Sequence, residues 1–519
     1  MPEYLVQKKI KQYLCTLNLA ILIEKVVSEN MKKTRDNYTF LTHAPVHRVV
    51  FTMAIPTIIS MLSTSMYNLA DTYFVGSINT QSVAAVGVSF AMMAVIQAVG
   101  FFYGHGAGNY ISRMLGAKEE EKAKKMAATG FVLSFLTGLV IAVLGQIFLT
   151  PLCILLGSTP TIQPYTERYL GIILLGAPFM TTSLTLNNLM RFQGNTMYAM
   201  KGIMSGVLLN LILAPLLIIY FALGITGAAI ATLISQCFGC AMLFWMTHKG
   251  QNIRIHLRNF TPTKAYAKEI IFGGTPSLSR QGLGSIATLV LNVAAGAYGD
   301  AAIAGMSIVT RISFFTYAVA IGLGQGFQPL CGFCYGAKLY SRVKEAYYFC
   351  IKCGTVFLAV CAVIGFIFSE QIIELFRDDP HVVAVGSVAL KWQVISFPSH
   401  HRSHQHADAN HPQTYSCQYR GGSPKRTLLH SAHLHPPSFL RIAGCRDVPG
   451  VGRCLLLPRG GSDSLECIQG YVKIVFHFNT YLHPHFFHSI FPFLQKNPKK
   501  LLYFFAVQEI NRIFALEFY

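Results

Sequence analysis

Apolar stretches of about 20 residues recur along most of this chain, and a helix of that length crosses about 30 Å of hydrocarbon. Lipid offers the backbone no hydrogen-bond partners, so helices are the expected spanning structures. The composition agrees, since 52% of the 519 residues are hydrophobic, 12% are charged and the mean hydropathy is +0.44. An outer-membrane barrel would show short segments of alternating polarity, which this sequence lacks. We therefore predict an all-α, polytopic membrane protein.

The apolar runs and their breaks predict ten helices. They lie near residues 48–75, 83–111, 126–150, 164–190, 198–221, 225–247, 266–297, 302–334, 346–368 and from 382 onwards. Lys and Arg concentrate in the links around 112–125, 248–268 and 335–345, whereas the links at 76–82 and 221–226 carry none. Because basic links stay in the cytoplasm, the N-terminus is expected inside a multi-pass protein of the inner (plasma) membrane.

The formal net charge of +20 does not indicate nucleic-acid binding, because the basic residues set membrane orientation. The 13 Cys are scattered and imply neither a disulfide framework nor a zinc site. Residues 1–41 read as a cytoplasmic N-terminal extension without a cleavage site, and Met31 looks like a more natural start. On that interpretation, residues 1–30 need not be native.

The chain repeats itself at a single offset. Pro56 aligns with Pro276, which gives 276 − 56 = 220. The same offset places GHG at 104–106 on GQG at 324–326, and GAK at 116–118 on GAK at 336–338. A unit of six helices keeps both copies in the same orientation, related by an axis along the membrane normal. This predicts two parallel bundles around a central cleft, an architecture typical of alternating-access transporters. An old duplication without a transport role is the alternative.

Several segments carry a family signature, namely IPTIISMLSTSMYNLADTYFVG, GNYISRMLGAK, LMRFQGNT, NLILAP and GITGAAIAT. They resemble the multidrug and toxic compound extrusion (MATE) family, especially its DinF-like and MepA-like branch, over residues 42–398. The resemblance implies twelve helices in two six-helix lobes that export cationic or amphipathic compounds in exchange for Na⁺ or H⁺. Here the lobes would be residues 42–250 and a truncated 251–398.

Asp71 is the acidic residue of the first predicted span, and an ionisable group inside a membrane is a functional-site hypothesis by default. Asn68 lies one turn earlier on the same helix face. The resemblance implies that Asp71 binds the coupling cation or proton. The alternative is a helix-end carboxylate near the outer interface.

In the fifth span the family often has Asn followed four residues later by Asp or Asn. Asn210 matches the first position, but Ala214 occupies the second, which removes a ligand oxygen and favours H⁺ over Na⁺. Pro215 should loosen this helix and free a carbonyl that substitutes in part.

Other polar residues among apolar neighbours are candidates for lining the substrate cavity. With Asn68, these are Asn187, Asn188, Gln281 and Asn292. Polar contacts between helices are an equally good explanation for them. We expect Arg191 and its followers to form a structural turn. The Gly-rich GHGAG and GLGQG segments lack the strand and the Lys-Ser/Thr of a phosphate loop, so neither an enzyme nor a cofactor is expected.

The sequence changes character after Pro398. Of its 18 His, 12 lie beyond that point, and the hydrophobic periodicity is lost. A one-base shift turns His codons into Ile, Met or Thr codons, and the stretch after Pro398 can then be reread as LIIGLINMLMQTIRKPIR. We interpret residues 399–519 as an out-of-frame, disordered tail. The rival interpretation is a His-rich metal-binding module, but the Cys and His spacings fit no zinc motif.

The leading functional hypothesis is an antiporter represented by a damaged copy. Its partners would be a small cationic or amphipathic substrate and membrane lipid, and a monomer is expected. The alternatives are a lipid-linked sugar flippase of the same superfamily and a membrane remnant that transports nothing.

Overall fold

The computed structural model describes residues 37–76, 80–158, 160–250, 252–296, 300–376 and 380–395. These ranges form helices and connecting turns and contain no β-strand. The all-α, polytopic class is therefore confirmed. The predictions for residues 1–36 and for 399–519 lie outside the described residues.

A short helix, α1 (Asn37–His43), precedes the N-terminal lobe. The lobe then contains α2 (Val46–Gly76), α3 (Thr80–Gly116), α4 (Glu120–Ile147), α5 (Leu149–Leu155), α6 (Gln163–Leu175), α7 (Ala177–Phe192), α8 (Thr196–Pro215), a π-helix (Leu216–Tyr220) and α9 (Gly224–Met246). These helices contain the first six predicted spans. The fourth span is split into α6 and α7, which meet at an angle of 50°.

The C-terminal lobe follows a short 3₁₀ helix at Leu257–Asn259. It contains α10 (Lys264–Gly296), α11 (Asp300–Gly336), α12 (Tyr340–Ile367), α13 (Ser369–Phe376) and α14 (Pro380–Ile395). A helix thus occupies each of the ten predicted positions. Among the described residues, seven helices are long and apolar enough to cross a membrane, or eight when the bent pair counts as one span. We conclude that the chain is a multi-pass membrane protein.

The internal repeat is visible in the helix boundaries. Adding 220 to the bounds of α4 (120 and 147) gives 340 and 367, the bounds of α12. The same holds for α3 and α11 (80 and 116 against 300 and 336). Lys118 and Lys338, the last residues of the two GAK triplets, share a backbone φ of 62°. Such a left-handed conformation is uncommon outside glycine, so its recurrence at the same offset is strong evidence for two copies of one unit.

The bend between α6 and α7 has a local cause. Pro178 lies in the first turn of α7, where its ring and missing N–H prevent the helix from running on from Leu174. Gly176 forms the junction between the two helices. The apolar run of residues 164–190 shows the length of this span but not the direction change inside it.

The two lobes meet through equivalent helix pairs. The first helix of each lobe packs along the second helix of the other, as α2 with α11 and α10 with α3. Glycine makes these contacts close: a Cβ on Gly273 of α10 would lie 2.9 Å from the Cα of Gly106, and one on Gly326 of α11 would lie 2.7 Å from the Cα of Ala54. Gly106 and Gly326 are repeat-equivalent. Because lipid gives no hydrophobic drive for helix association, such close packing supplies much of the attraction.

Helix α1 is part of the packed protein, although residues 1–41 were expected to be an extension. Phe40, Leu41 and Thr42 are buried. The carbonyl of Leu41 accepts a hydrogen bond from the Arg342 guanidinium at the start of α12, 3.2 Å away. The Asn37 side chain donates to the Asn195 side chain at 2.8 Å, in the turn before α8. The helix therefore contacts both lobes at one end of the bundle.

The orientation can be tested with single cysteines in a chain whose native Cys are replaced. We expect an impermeant maleimide added to intact cells to label Ser77→Cys, because this link lacks Lys and Arg and should face outwards. Arg258→Cys, on the exposed 3₁₀ helix of a basic link, should be labelled after permeabilisation. Labelling of Arg258→Cys in intact cells would reverse the topology.

The close contact between lobes predicts a stability difference between two glycine variants. Gly106→Ala should lower the melting temperature in detergent, because its Cβ would overlap the Ile270 carbonyl and overpacking costs about 1–3 kcal/mol. Gly282→Ala is the matched control, since its Cβ would meet no atom within 4 Å. Equal melting temperatures for Gly106→Ala and the parent chain would contradict the close backbone approach.

Candidate functional site

The proposed cation site belongs to the N-terminal lobe. Asp71 and Asn68 lie in the last turns of α2, but their side chains are outside the described residues. Helix α2 packs along α8, the helix that carries Asn210. The fold therefore brings together the two helices on which the sequence placed this site, and the roles of Asp71 and Asn68 stay predictions.

Asn210 is buried on α8, with 3% of its surface exposed. Its side-chain amide donates to the Thr232 hydroxyl of α9 at 3.4 Å. Both groups can offer an oxygen to a cation, although the distance marks their present contact as a weak hydrogen bond. Thr232 was not among the predicted residues. It is one of the two threonines of the mainly apolar GITGAAIAT segment, which was the available signal.

Ala214 lies four residues after Asn210 and is buried in an apolar cluster with Val75 and Ile218. The helix continues through Pro215 and widens into the π-helix Leu216–Tyr220. The predicted loosening at Pro215 is therefore present. The predicted carbonyl ligand stays a prediction.

Asn187 and Asn188 make different contacts although they are neighbours on α7. The half-buried Asn187 donates its amide to the Ala199 carbonyl of α8 at 3.1 Å. Asn188 is fully buried, donates to the Leu184 carbonyl at 2.7 Å and accepts a hydrogen bond from Arg191. The Asn187 contact joins α7 to α8 and is of the helix-linking type that was the alternative to a cavity role, whereas both contacts of Asn188 lie within α7.

The remaining cavity candidates lie on α10. Gln281 is half-buried, whereas the side chain of Asn292 lies outside the described residues. The helices carrying Gln281 and Asn187 belong to different lobes. Their role in binding a substrate stays a prediction.

Arg191 is the buried cation that sequence reasoning missed. It lies in the last turn of α7 rather than in the turn that follows, and 2% of its surface is exposed. Its guanidinium donates to Asn188 at 2.6 Å, to Gln328 at 3.2 Å and to Gln325. It also lies 3.3 Å from the His105 Nε2 atom. We refer to these five residues as the Arg191 cluster.

The hydrogen bonds fix the tautomer of His105 in this cluster. Its Nδ1 atom lies 3.0 Å from the Phe101 carbonyl, which can only accept. Since a guanidinium can only donate, Nε2 must accept from Arg191. A neutral imidazole with its proton on Nδ1 satisfies both contacts.

A second polar contact joins the lobes closer to the helix ends. Arg113 of α3 pairs with Glu269 of α10 at 2.6 Å, with side-chain exposures of 17% and 41%. The Arg113 and Glu269 side chains reach solvent, so this pair contributes at most about 1 kcal/mol. Of these two polar connections between the lobes, the buried Arg191 cluster is the less screened.

Comparison with known proteins decides the family. The MatE family model matches residues 56–216 and 276–401, together more than half of the chain. The chain belongs to the MatE family. The two matched segments begin at Pro56 and Pro276, which are the repeat-equivalent prolines found in the sequence, so the matches cover the two lobes separately.

Curated relatives of this MatE protein cover both lobes. The multidrug export protein MepA of Staphylococcus haemolyticus is 29% identical over 354 residues, which are 68% of this chain and 78% of the relative. MepA of Staphylococcus saprophyticus is 31% identical over 357 residues, with the same shares. The resemblance inferred from the sequence motifs is confirmed.

Solved MATE structures share the fold. A MATE transporter in the straight conformation is 25% identical with a TM-score of 0.69, and the likeness covers 74% of this chain and 87% of that one. A MOP superfamily transporter from Pyrococcus furiosus has 24% identity, the same TM-score and the same coverage. The MatE family is a family of transporters and not of enzymes, and the protein is a multi-pass protein of the plasma membrane.

Proposed function

We propose that this MatE protein is a secondary active antiporter that exports drugs or other cationic and amphipathic compounds in exchange for H⁺ or Na⁺. The observation that carries the proposal is the alignment of both lobes with relatives named multidrug export protein MepA. Two parallel copies of one helical unit, with polar residues inside, are also an arrangement typical of alternating-access transporters. The substrate and the membrane lipid are the proposed partners.

The coupling site would be Asp71, supported by Asn210. A carboxylate inside the membrane is costly and can exchange a proton or a cation as its solvent access changes. The apolar surroundings of Ala214 leave the fifth span without the second oxygen ligand of the family pattern, which favours H⁺. No step of this exchange needs a cofactor.

The carboxylate of Asp71 can be tested in a frame-restored chain. We expect Asp71→Asn to abolish coupled export while the protein still inserts, because the variant loses the titratable charge. Ethidium retention in cells lacking other pumps measures export, and immunoblotting of membranes measures insertion.

Glu374→Gln is the matched control, because it removes an exposed carboxylate of α13 and should leave export unchanged. Efflux at the parent rate in Asp71→Asn would rule out Asp71 as the coupling group. Loss of efflux in both variants would indicate a general charge effect instead.

We further propose that the 519-residue chain is a damaged copy. The family match ends at residue 401, although the chain continues to residue 519, and the relatives are covered to 78% of their length. Both facts agree with a reading frame lost just after Pro398. The 519-residue chain is therefore proposed to be a membrane remnant that transports nothing, and the antiport proposal applies to its frame-restored form.

This proposal predicts a difference between the 519-residue chain and a version with one base corrected before codon 399. The uncorrected chain should accumulate poorly and export nothing, since polar groups of α10 and α11 that face lipid cost several kcal/mol each. The corrected chain should regain both membrane abundance and ethidium export. Equal abundance and export of the two versions would show that the tail is native.

A further inference from the structure

Arg191 is placed where it can hold the two lobes together. It lies in the last turn of α7, and the orientation predicted from the basic links places this end of α7 on the cytoplasmic side. The four members of the Arg191 cluster that contact it divide equally between the lobes. Asn188 and His105 belong to the N-terminal lobe, whereas Gln325 and Gln328 belong to α11 of the C-terminal lobe.

The internal repeat explains why one residue can reach both lobes. His105 and Gln325 are the central residues of GHG and GQG, and 105 + 220 = 325, so they are repeat-equivalent. The two segments are related by the approximate axis along the membrane normal. A guanidinium that contacts both positions lies between the two copies of one backbone feature, close to that axis.

From this geometry we propose that Arg191 is a cytoplasmic latch, which keeps the inner ends of the lobes closed by donating hydrogen bonds to Gln325 and Gln328. The inference rests on the alternating-access function proposed above, in which the inner ends must separate in one half of the cycle. It assigns the closing bond to residues that are distinct from the proposed cation site.

The chemistry of the partners suits a bond that must open repeatedly. A guanidinium stays charged at all relevant pH values, so the latch does not vanish by deprotonation. Its C-terminal-lobe acceptors are neutral amides, which bind more weakly than carboxylates would. When the lobes separate, water can hydrate Arg191, while Asn188 and His105 still accept from it.

A purely structural role would need fewer contacts across the interface. Arg191 could be satisfied within its own lobe by Asn188, by His105 and by water at the helix end. Instead, the Gln325 and Gln328 side chains of the other lobe both point to it. The cross-lobe pair is the feature that distinguishes a latch from a residue that only stabilises α7.

The test uses the frame-corrected chain, with native cysteines replaced and Ser112→Cys as a reporter. Ser112 is fully buried on α3, and a Cβ built on Gly332 of α11 would overlap its side chain, so the site lies in the contact between lobes. Inside-out vesicles expose the cytoplasmic face to an impermeant maleimide. The labelling rate then reports how often the inner ends separate, and no transport needs to be measured.

We expect Arg191→Met to raise the labelling rate of Cys at position 112 by roughly tenfold, the change that corresponds to about 1.4 kcal/mol. Gln325→Leu, which changes the other lobe, should also raise the labelling rate at position 112. The double variant should add little to either single one, because both remove the same contact. His105→Gln retains an acceptor, as the repeat-equivalent Gln325 does, and should keep labelling slow.

A second reporter separates opening of the interface from loss of structure. Ser134→Cys is equally buried, but it lies between α4 and α7 inside the N-terminal lobe. Faster labelling at position 112 alone supports the latch. Unchanged labelling at 112 in Arg191→Met and Gln325→Leu overturns it, and so does an equal rise at both reporters. If the frame-corrected parent chain with an intact Arg191 failed to export ethidium while its labelling at position 112 stayed slow, that result would count against the proposed function and not against the latch.

Discussion

The close backbone approach between the lobes is the contact on which the rest of this structure depends. Lipid tails are as apolar as leucine, so helices in a membrane gain little by hiding apolar surface from their solvent. Glycine at positions 106 and 326 instead allows two helix backbones to touch and to gain dispersion energy. The same approach brings α7 within reach of α11, which is the condition for the Arg191 cluster.

Much of the fold could be predicted from the sequence because span length and the 220-residue offset are properties of the chain itself. The ends of the helices were harder to predict. The second predicted span ended at residue 111 and the third began at 126, whereas α3 ends at Gly116 and α4 begins at Glu120. The additional turns carry Arg113, Lys122 and Lys124, so the helices continue into water where the apolar run has stopped. An apolar run therefore gives the length of the segment inside the hydrocarbon and not the full length of the helix.

The polar residues also differ in how well the sequence predicts their roles. Asn210 was found because it belongs to a family pattern, and its buried position on α8 agrees with a site in the lobe interior. Arg191 was assigned to a turn, because charged residues near a Gly-Asn pair usually end a helix. Two of its partners, His105 and Gln325, lie 86 and 134 residues away along the chain. Contacts at such separations are set by the packing of lobes, which no local pattern reports.

The contacts on α7 also connect the proposed latch to the proposed cation site. Asn188 accepts from Arg191, and the adjacent Asn187 donates to the Ala199 carbonyl of α8. Asn210 lies further along that same helix, 11 residues from Ala199, or about 16 Å at the helical rise. A shift of α8 on cation binding would therefore act first on Asn187, the neighbour of the Asn188 that accepts from Arg191. Coupling free energy is reciprocal. Closing the latch would therefore change the affinity for the cation by the same factor by which the bound cation changes the equilibrium constant for latch closure. An antiporter needs such a link between a site and a gate, and the Asn187–Ala199 hydrogen bond joins the two helices that carry the proposed gate and the proposed site.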